Sequence, residues 1–334
     1  MKKNQIILFA SGCLVLTLIK VFWQKDGRPA FDLNSLLRSL SILTATVLIF
    51  WSFICTKTPK LAFVHPQEIL ESCSIIGSII ISILILILFI GYPNTFNALS
   101  LEDNAVEWLS ALLLFASCII MAVNAIKTHH SGILLVQLCC AALSLVFFVI
   151  GMEEVSWFQR VLEIETPDDF SKNIQGEMNL HNFATSIVET AYYFGAFAFL
   201  VALPFIRVFV TFIKEYNFLY ILMARPFIAL VGSIVCCYNF NVWNTLATQV
   251  AFFGSIAVLL LFSLFSQDVL NRYIALFFML FNITTQVIFL THPNNFERFW
   301  AITEYKELFI ALGFFIYCLD VSKELKLWAL NKTN

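Results

Sequence analysis

The residues of this chain best placed to do chemistry are carboxylates. Glu153 and Glu154 stand side by side where a long apolar run ends. Trp157 and Arg160 follow, then Gln175, Glu177, Asn179, His181 and Asn182, and Glu189 lies just inside the next apolar run. Adjacent carboxyls can exchange protons with a substrate as general acid and base, or ligate a cation. An arginine beside them would grip a phosphate or carboxylate through its planar fork. Seven of the 22 Asp and Glu residues fall between positions 153 and 177, in a chain with only 13% charged residues. The candidate catalytic set is therefore Glu153, Glu154, His181 and Glu189. The candidate substrate-binding set is Glu107, Trp157, Arg160, Gln175, Glu177, Asn179 and Asn182.

Position makes these acids unusual. Glu153 and Glu154 end an apolar helix, where the dipole is negative and disfavours carboxylates. A helix continuing through residue 163 would place Glu153, Ser156, Gln159, Arg160 and Glu163 on one face, with Glu153 and Arg160 paired. An amphipathic helix at the lipid surface with an exposed salt bridge is the plainer alternative. Thr166-Pro167-Asp168-Asp169 predicts a helix start, with Thr as N-cap and acids in the first turn. Ser100-Leu101-Glu102-Asp103 predicts a capping box for the span that follows. Glu107, one turn beyond Asp103 and at membrane depth, is not explained by capping. Asn182, Ser186, Glu189 and Tyr193 fall at helical spacing, with Glu189 roughly 10 Å inside at 1.5 Å per residue. An ionisable group at that depth is a functional candidate by default.

Other chemistries lack support. His181 and His292 show no HExxH-like spacing, so no metal ligand is assigned, and no cofactor is identified. There is no P-loop, GxGxxG or GxSxG motif, and no basic face for nucleic acid. Nine cysteines lie within or beside apolar runs without CxxC spacing, which reads as packing.

The elements that must hold these residues follow from composition. The chain is 60% hydrophobic with 36 Phe among 334 residues and a mean hydropathy of +0.85, whereas soluble domains carry about 25% charged residues. About 20 apolar residues cross a hydrocarbon core of about 30 Å, and backbone in lipid must satisfy itself as helix. Ten runs qualify: 5–23, 36–55, 73–92, 105–124, 132–151, 183–206, 218–238, 245–266, 271–291 and 304–322. Lys20, Arg38 and Arg225 interrupt three of them. The expected fold is an all-α polytopic transmembrane bundle of about ten spans. Residues 1–334 form one integral membrane domain, and 152–182 form an extracytoplasmic polar segment between spans five and six. Ala10-Ser11-Gly12-Cys13 resembles a lipoprotein cleavage box, but the apolar run continues past it, so the first span reads as uncleaved. Arg225-Pro226 predicts a helix start, and Asn282 and Gln286 either line a cavity or bridge helices.

With both termini cytoplasmic, 11 Lys and Arg face inward, 8 outward, and Arg225 lies within a span. Four of the outward eight flank the first hairpin against the positive-inside rule. Sixteen acids then face outward, in clusters at Glu102-Asp103-Glu107, Glu153-Glu154 and Glu304-Glu307. That clustering predicts an outward-facing polar cavity in a cytoplasmic membrane.

The series Glu153-Glu154-x-Ser156-Trp157-x-Gln159-Arg160, Glu165-Thr166-Pro167 and Gln175-Gly176-Glu177-x-Asn179-x-His181-Asn182 resembles a signature of uncharacterised bacterial multi-span membrane proteins. Glu102-Asp103 and Glu107-Trp108 resemble a further element of that family. Phe158 stands where the pattern has glycine. The resemblance covers about 30 residues and implies a site without implying a reaction.

These readings point to a hydrolase or transferase acting on a lipid or lipid-linked small molecule. Glu153 or Glu154 would be base or cation ligand, Arg160 the anion holder, and His181 or Glu189 the proton partner. A proton- or cation-coupled transporter relaying through Glu189 and Glu107 is the first alternative, mildly disfavoured by few Gly and Pro. An assembly partner docking through 152–182 is the second.

Overall fold

A computed structural model describes residues 3–23, 29, 32–54, 64–65, 68–129, 134–170, 178–209 and 217–333, the side chains of Lys3, His129, His181, 217–219 and 329–333 excepted. Eight helical stretches among them are long and apolar enough to cross a membrane. Helices α1 (Lys3–Phe22) and α2 (Leu33–Ser52) form an antiparallel pair, and α2 leans on α11 (Leu246–Phe265). Helix α3 (Ile69–Gly91) gives way at Pro93 to the short α4 (Pro93–Leu99). Helices α5 (Ala105–His129) and α6 (Leu134–Glu154) form the tightest hairpin, and α5 also lies along α13 (Ala301–Thr333). Helix α7 (Thr185–Phe197) runs through a π turn at 198–202 into α8 (Leu203–Phe209), and α12 (Val269–Thr291) packs on α11.

The expected seventh span, 218–238, is broken. It folds as α9 (Asn217–Leu222) and α10 (Pro226–Val235), with Pro226 at the first helical position as anticipated. Ten residues rise about 15 Å, half the hydrocarbon thickness. Such a piece survives because Phe227 through Val235 are all buried in protein, where unwound backbone on either side is tolerated. Gly232 permits its closest contact. A Cβ there would sit 2.9 Å from the Leu200 carbonyl oxygen of the π turn, so α10 and the α7–α8 unit cross at van der Waals limit. Asn282 and Gln286 bridge helices: Asn282 donates to Ser233 Oγ at 2.8 Å, and Gln286 donates to the Asn239 carbonyl at 2.7 Å. The expected tenth span lies inside α13, 33 residues long, which is not among the eight; its charges flank the uncharged stretch 308–319.

At one end of the bundle those charges are paired. Arg225 meets Glu71 at 2.8 Å and Asp320 at 2.5 Å, and both carboxylates are buried. Lys323 pairs with Glu68, and Arg207 approaches Glu324 at 3.8 Å. Arg38, one of the charges that defied the orientation rule, is buried and donates to the Asn244 carbonyl at 2.7 Å. Eight cysteines are free thiols, and Cys55 lies outside the described residues.

Candidate functional site

The opposite end encloses a cavity of about 520 Å³ between α5, α6, α7 and the start of α13. Seven glutamates line it: Glu102, Glu107, Glu153, Glu154, Glu189, Glu304 and Glu307. Five of the residues singled out from sequence therefore meet there, namely Glu107, Glu153, Glu154, Asn179 and Glu189. Gln175 and Glu177 lie outside the described residues. The backbone of His181 forms a 3-10 turn with 182 and 183, and its side chain is not described. Asn182 is buried beside the start of α7, and Trp157 and Arg160 stand behind the cavity wall.

The helix carrying Glu153 and Glu154 does not continue to residue 163. Helix α6 stops at Glu154, and Ser156, Trp157 and Phe158 adopt φ of 46°, 54° and 58°. Three consecutive side-chain-bearing residues in the left-handed region are costly, by about 1–2 kcal/mol each. The turn is held by contacts on every side. Phe158 stacks on Phe115, with centroids 6.2 Å apart, and lies beside Trp108. Ser156 is buried and accepts from Asn179 Nδ2 at 3.0 Å. Gln159 donates to Thr166 Oγ1 at 2.6 Å and accepts from the Met178 N–H at 2.7 Å. Thus Ser156, Gln159, Thr166 and Asn179 pin the loop that follows α6.

Early termination also breaks the expected Glu153–Arg160 pair. Trp157 instead donates to Glu153 Oε1 at 2.7 Å, fixing that carboxylate. Arg160 reaches Asp103 at 2.5 Å and Glu102 at 2.9 Å, tying the loop after α6 to the loop before α5. Partial burial opposes its charge, but the hydrogen bonds to Asp103 and Glu102 more than offset this and hold its pKa above the ordinary value. Its fork is occupied by protein carboxylates rather than open toward the cavity. Thr166 accepts from Gln159, and Pro167 opens a turn closed by the Phe170 N–H at 2.9 Å, beyond which the chain leaves the described residues.

Ser100 does not cap α5 either. It donates to the Asn97 carbonyl at 2.9 Å, and Arg298 Nη2 donates to the Ser100 carbonyl at 2.9 Å. Glu107 reaches back to the Asp103 N–H, where φ is 58°, so one of its roles is a capping contact after all. Helix α7 begins at Thr185, three residues later than the stripe from Asn182 required. Glu189 therefore lies about 6 Å inside it at 1.5 Å per residue, not 10 Å.

Two carboxylates have no such duty. Glu154 and Glu304 make no hydrogen bond or ion pair with any described residue; Glu154 lies within electrostatic range of Glu307, Glu304 and Glu107, and Glu304 within range of Glu307, Glu107, Glu102 and the opposite charge of Arg298. Glu307 accepts from Tyr193 Oη at 2.6 Å. Sequence reasoning saw Glu304 and Glu307 as an acidic cluster but not as site residues. Their i, i+3 spacing on one helix face was the signal.

Arg298, Trp300 and Tyr192 were missed altogether. So was Lys306, which is buried and donates to Asn239 Oδ1 at 2.6 Å, with its ammonium 4.4 Å over the Tyr193 ring. Lys306 lines a second cavity of about 90 Å³ on the far side of α7, and Glu189 forms part of both walls. His292 binds the Ile288 carbonyl at the end of α12 and is not part of either cavity. Among the described residues no three His, Cys, Asp or Glu side chains are grouped to hold a metal ion.

One wall of the main cavity is apolar. Val149 and Ile150 of α6 face Val188 and Ala191 of α7 across it. Helix α6 packs on α5, while α7 packs on α10 and α11. Val149 and Val188, both cavity-lining, remain 37% and 41% exposed. No protein-family model, curated protein or solved structure matches this chain.

Proposed function

We propose that this is a ten-span protein of the cytoplasmic membrane, with both termini inside, that hydrolyses or transfers a group on a lipid or lipid-linked substrate. The observation that carries the reading is one cavity lined both by seven glutamates and by partly exposed apolar residues of α6 and α7; on this reading it opens to the bilayer between those two helices. A substrate with an apolar tail can leave that tail in the bilayer and bring its polar end to the carboxyls. Glu154 and Glu304, without other partners among the described residues, are the acid–base pair. One takes the proton of the attacking water or hydroxyl, and the other returns a proton to the leaving group. Glu153, held by Trp157, and Glu307, held by Tyr193, orient the polar end. The resemblance to uncharacterised bacterial membrane proteins agrees with this choice of site, since its matching residues hold the loop above it.

Lipid extracts of cells with and without the protein test the reading. A substrate lipid should accumulate in the deletion strain and in a strain carrying Glu154→Gln at normal abundance. Unchanged lipid and glycolipid profiles in both strains would overturn it.

A proton- or cation-coupled transporter is the second reading. It is favoured by the line of contacts that runs from the cavity-lining Glu307 through the buried Tyr193, Lys306, Asn239 and Gln286. It requires proton-linked flux in proteoliposomes that Lys306→Met abolishes; absence of flux over a broad substrate panel would sink it.

A further inference from the structure

We infer that the group this cavity accepts is a primary ammonium carried on an apolar chain. The inference rests on the reading that an amphiphile enters between α6 and α7, and it adds the chemistry of the polar end. Charge is the first ground. Seven carboxyls line the cavity, and the arginine among its lining residues, Arg298, already donates from Nη2 to backbone carbonyls of Asn97 and Ser100. A phosphate or sulfate would meet seven carboxyls and one guanidinium, whose charge also acts on Glu304. An ammonium would supply the counter-charge that carboxylates in a low-dielectric wall require.

Hydrogen-bonding capacity is the second ground, independent of the acids. Tyr192 lines the cavity, and its hydroxyl oxygen is buried with no hydrogen-bond partner among the described residues. A buried polar atom left without a partner is costly, and its lone pair suits an N–H donor. Three such donors on a primary ammonium can engage Tyr192, Glu154 and Glu304 together. Aromatic surface is the third ground. Trp300 is 54% exposed and lines the same cavity, giving a face over which a cation is attracted. Carboxylates accept the N–H bonds of an amine and an indole face attracts its charge, and the apolar residues of α6 and α7 accommodate the chain that carries it.

The test uses the full-length protein in phosphatidylcholine vesicles, with a photoreactive benzoylphenylalanine at position 188 on the α7 wall. A second protein carries it at position 280, an exposed apolar site on α12. Vesicles contain a small fraction of hexadecylammonium, hexadecyl sulfate or hexadecyl glucoside, and adducts are read by mass. Capture of hexadecylammonium at 188 should exceed that of the sulfate by at least tenfold, with no preference at 280. Glu154→Gln with Glu304→Gln should remove the preference, and Tyr192→Phe should lower capture severalfold; unaltered capture at 280 would show that the variants are folded.

Sulfate capture equal to or above ammonium would overturn the inference. Stronger capture of the glucoside would overturn it in favour of a neutral sugar, while lateral access stands. Capture at 280 but of nothing at 188 would overturn lateral access and the proposed function with it. Excess free methylammonium should leave the adduct intact; complete competition would assign the site to a water-soluble amine and overturn the membrane source.

Discussion

The left-handed turn after α6 can be tested by the sign of one comparison. At an ordinary backbone position glycine is less stable than alanine by about 0.5–1 kcal/mol, because it loses more freedom on folding. At φ near +58°, where Phe158 sits, alanine carries a steric penalty of about 1–2 kcal/mol that glycine escapes. Phe158→Ala and Phe158→Gly lose the same ring, including its stacking on Phe115 and its contact with Trp108. Aromatic pairs of this kind contribute about 0.5–1.5 kcal/mol each, so both variants should be less stable than the parent. Between themselves, Phe158→Gly should be more stable than Phe158→Ala by about 1 kcal/mol. The opposite order is expected if α6 continued as a helix through 163. Reversible unfolding in mixed micelles, with dodecyl sulfate as denaturant, measures the difference directly. An alanine variant equal to or more stable than the glycine variant would refute the turn. The carboxyls of Glu153 and Glu154 would then sit mid-helix instead of at the cavity floor.

Three further outcomes follow from the packing. Arg225→Met should destabilise the protein by about 3–5 kcal/mol, since it leaves the buried Glu71 and Asp320 without their cation; adding Asp320→Asn should recover part of the loss in the same unfolding assay. Gly232→Ala should cost about 1–3 kcal/mol through the Leu200 backbone contact, visible as a lower melting temperature in detergent. Arg160→Gln removes two half-exposed ion pairs and should cost under about 1 kcal/mol, while limited proteolysis between 155 and 170 becomes faster; equal proteolysis rates would refute its role as a tie between loops.

Much of the site was legible because its cause is local and chemical. A carboxyl at the dipole-negative end of a helix, or a turn inside an apolar run, is unfavourable where it stands. Glu107, Glu153, Glu154 and Glu189 all carry that mark, and all four line one cavity. What sequence could not supply was set across long separations. The partners of Arg160 lie 57 and 58 residues away, and the hydroxyl that orients Glu307 lies 114 away. No local propensity predicts a left-handed turn from Ser, Trp and Phe; tertiary contacts impose it. The expected seventh span failed for a related reason. Apolar content identifies burial but not whether lipid or protein does the burying, and α10 is enclosed by other helices.

The two ends of the bundle treat charge in opposite ways, and the contrast separates scaffold from site. At one end Glu68, Glu71 and Asp320 meet Lys323 and Arg225 directly. Each acid there has a cation, and removing either partner would leave a buried charge uncompensated. At the other end seven glutamates share a cavity with one arginine. Packing alone would not retain Glu154 and Glu304 there, because neutral side chains of similar volume would fill the space without mutual repulsion. The same phenol–carboxylate and amide contacts that fix Glu307 and Lys306 could equally have fixed these two, yet no described residue reaches them. Arg298 compensates Glu304 only at a distance and nothing described compensates Glu154; on the proposed function a ligand or a proton is the partner of both. Replacing both with glutamine should accordingly leave unfolding free energy unchanged or raise it, while removing the ammonium preference at position 188. A large loss of stability would place them in the scaffold instead.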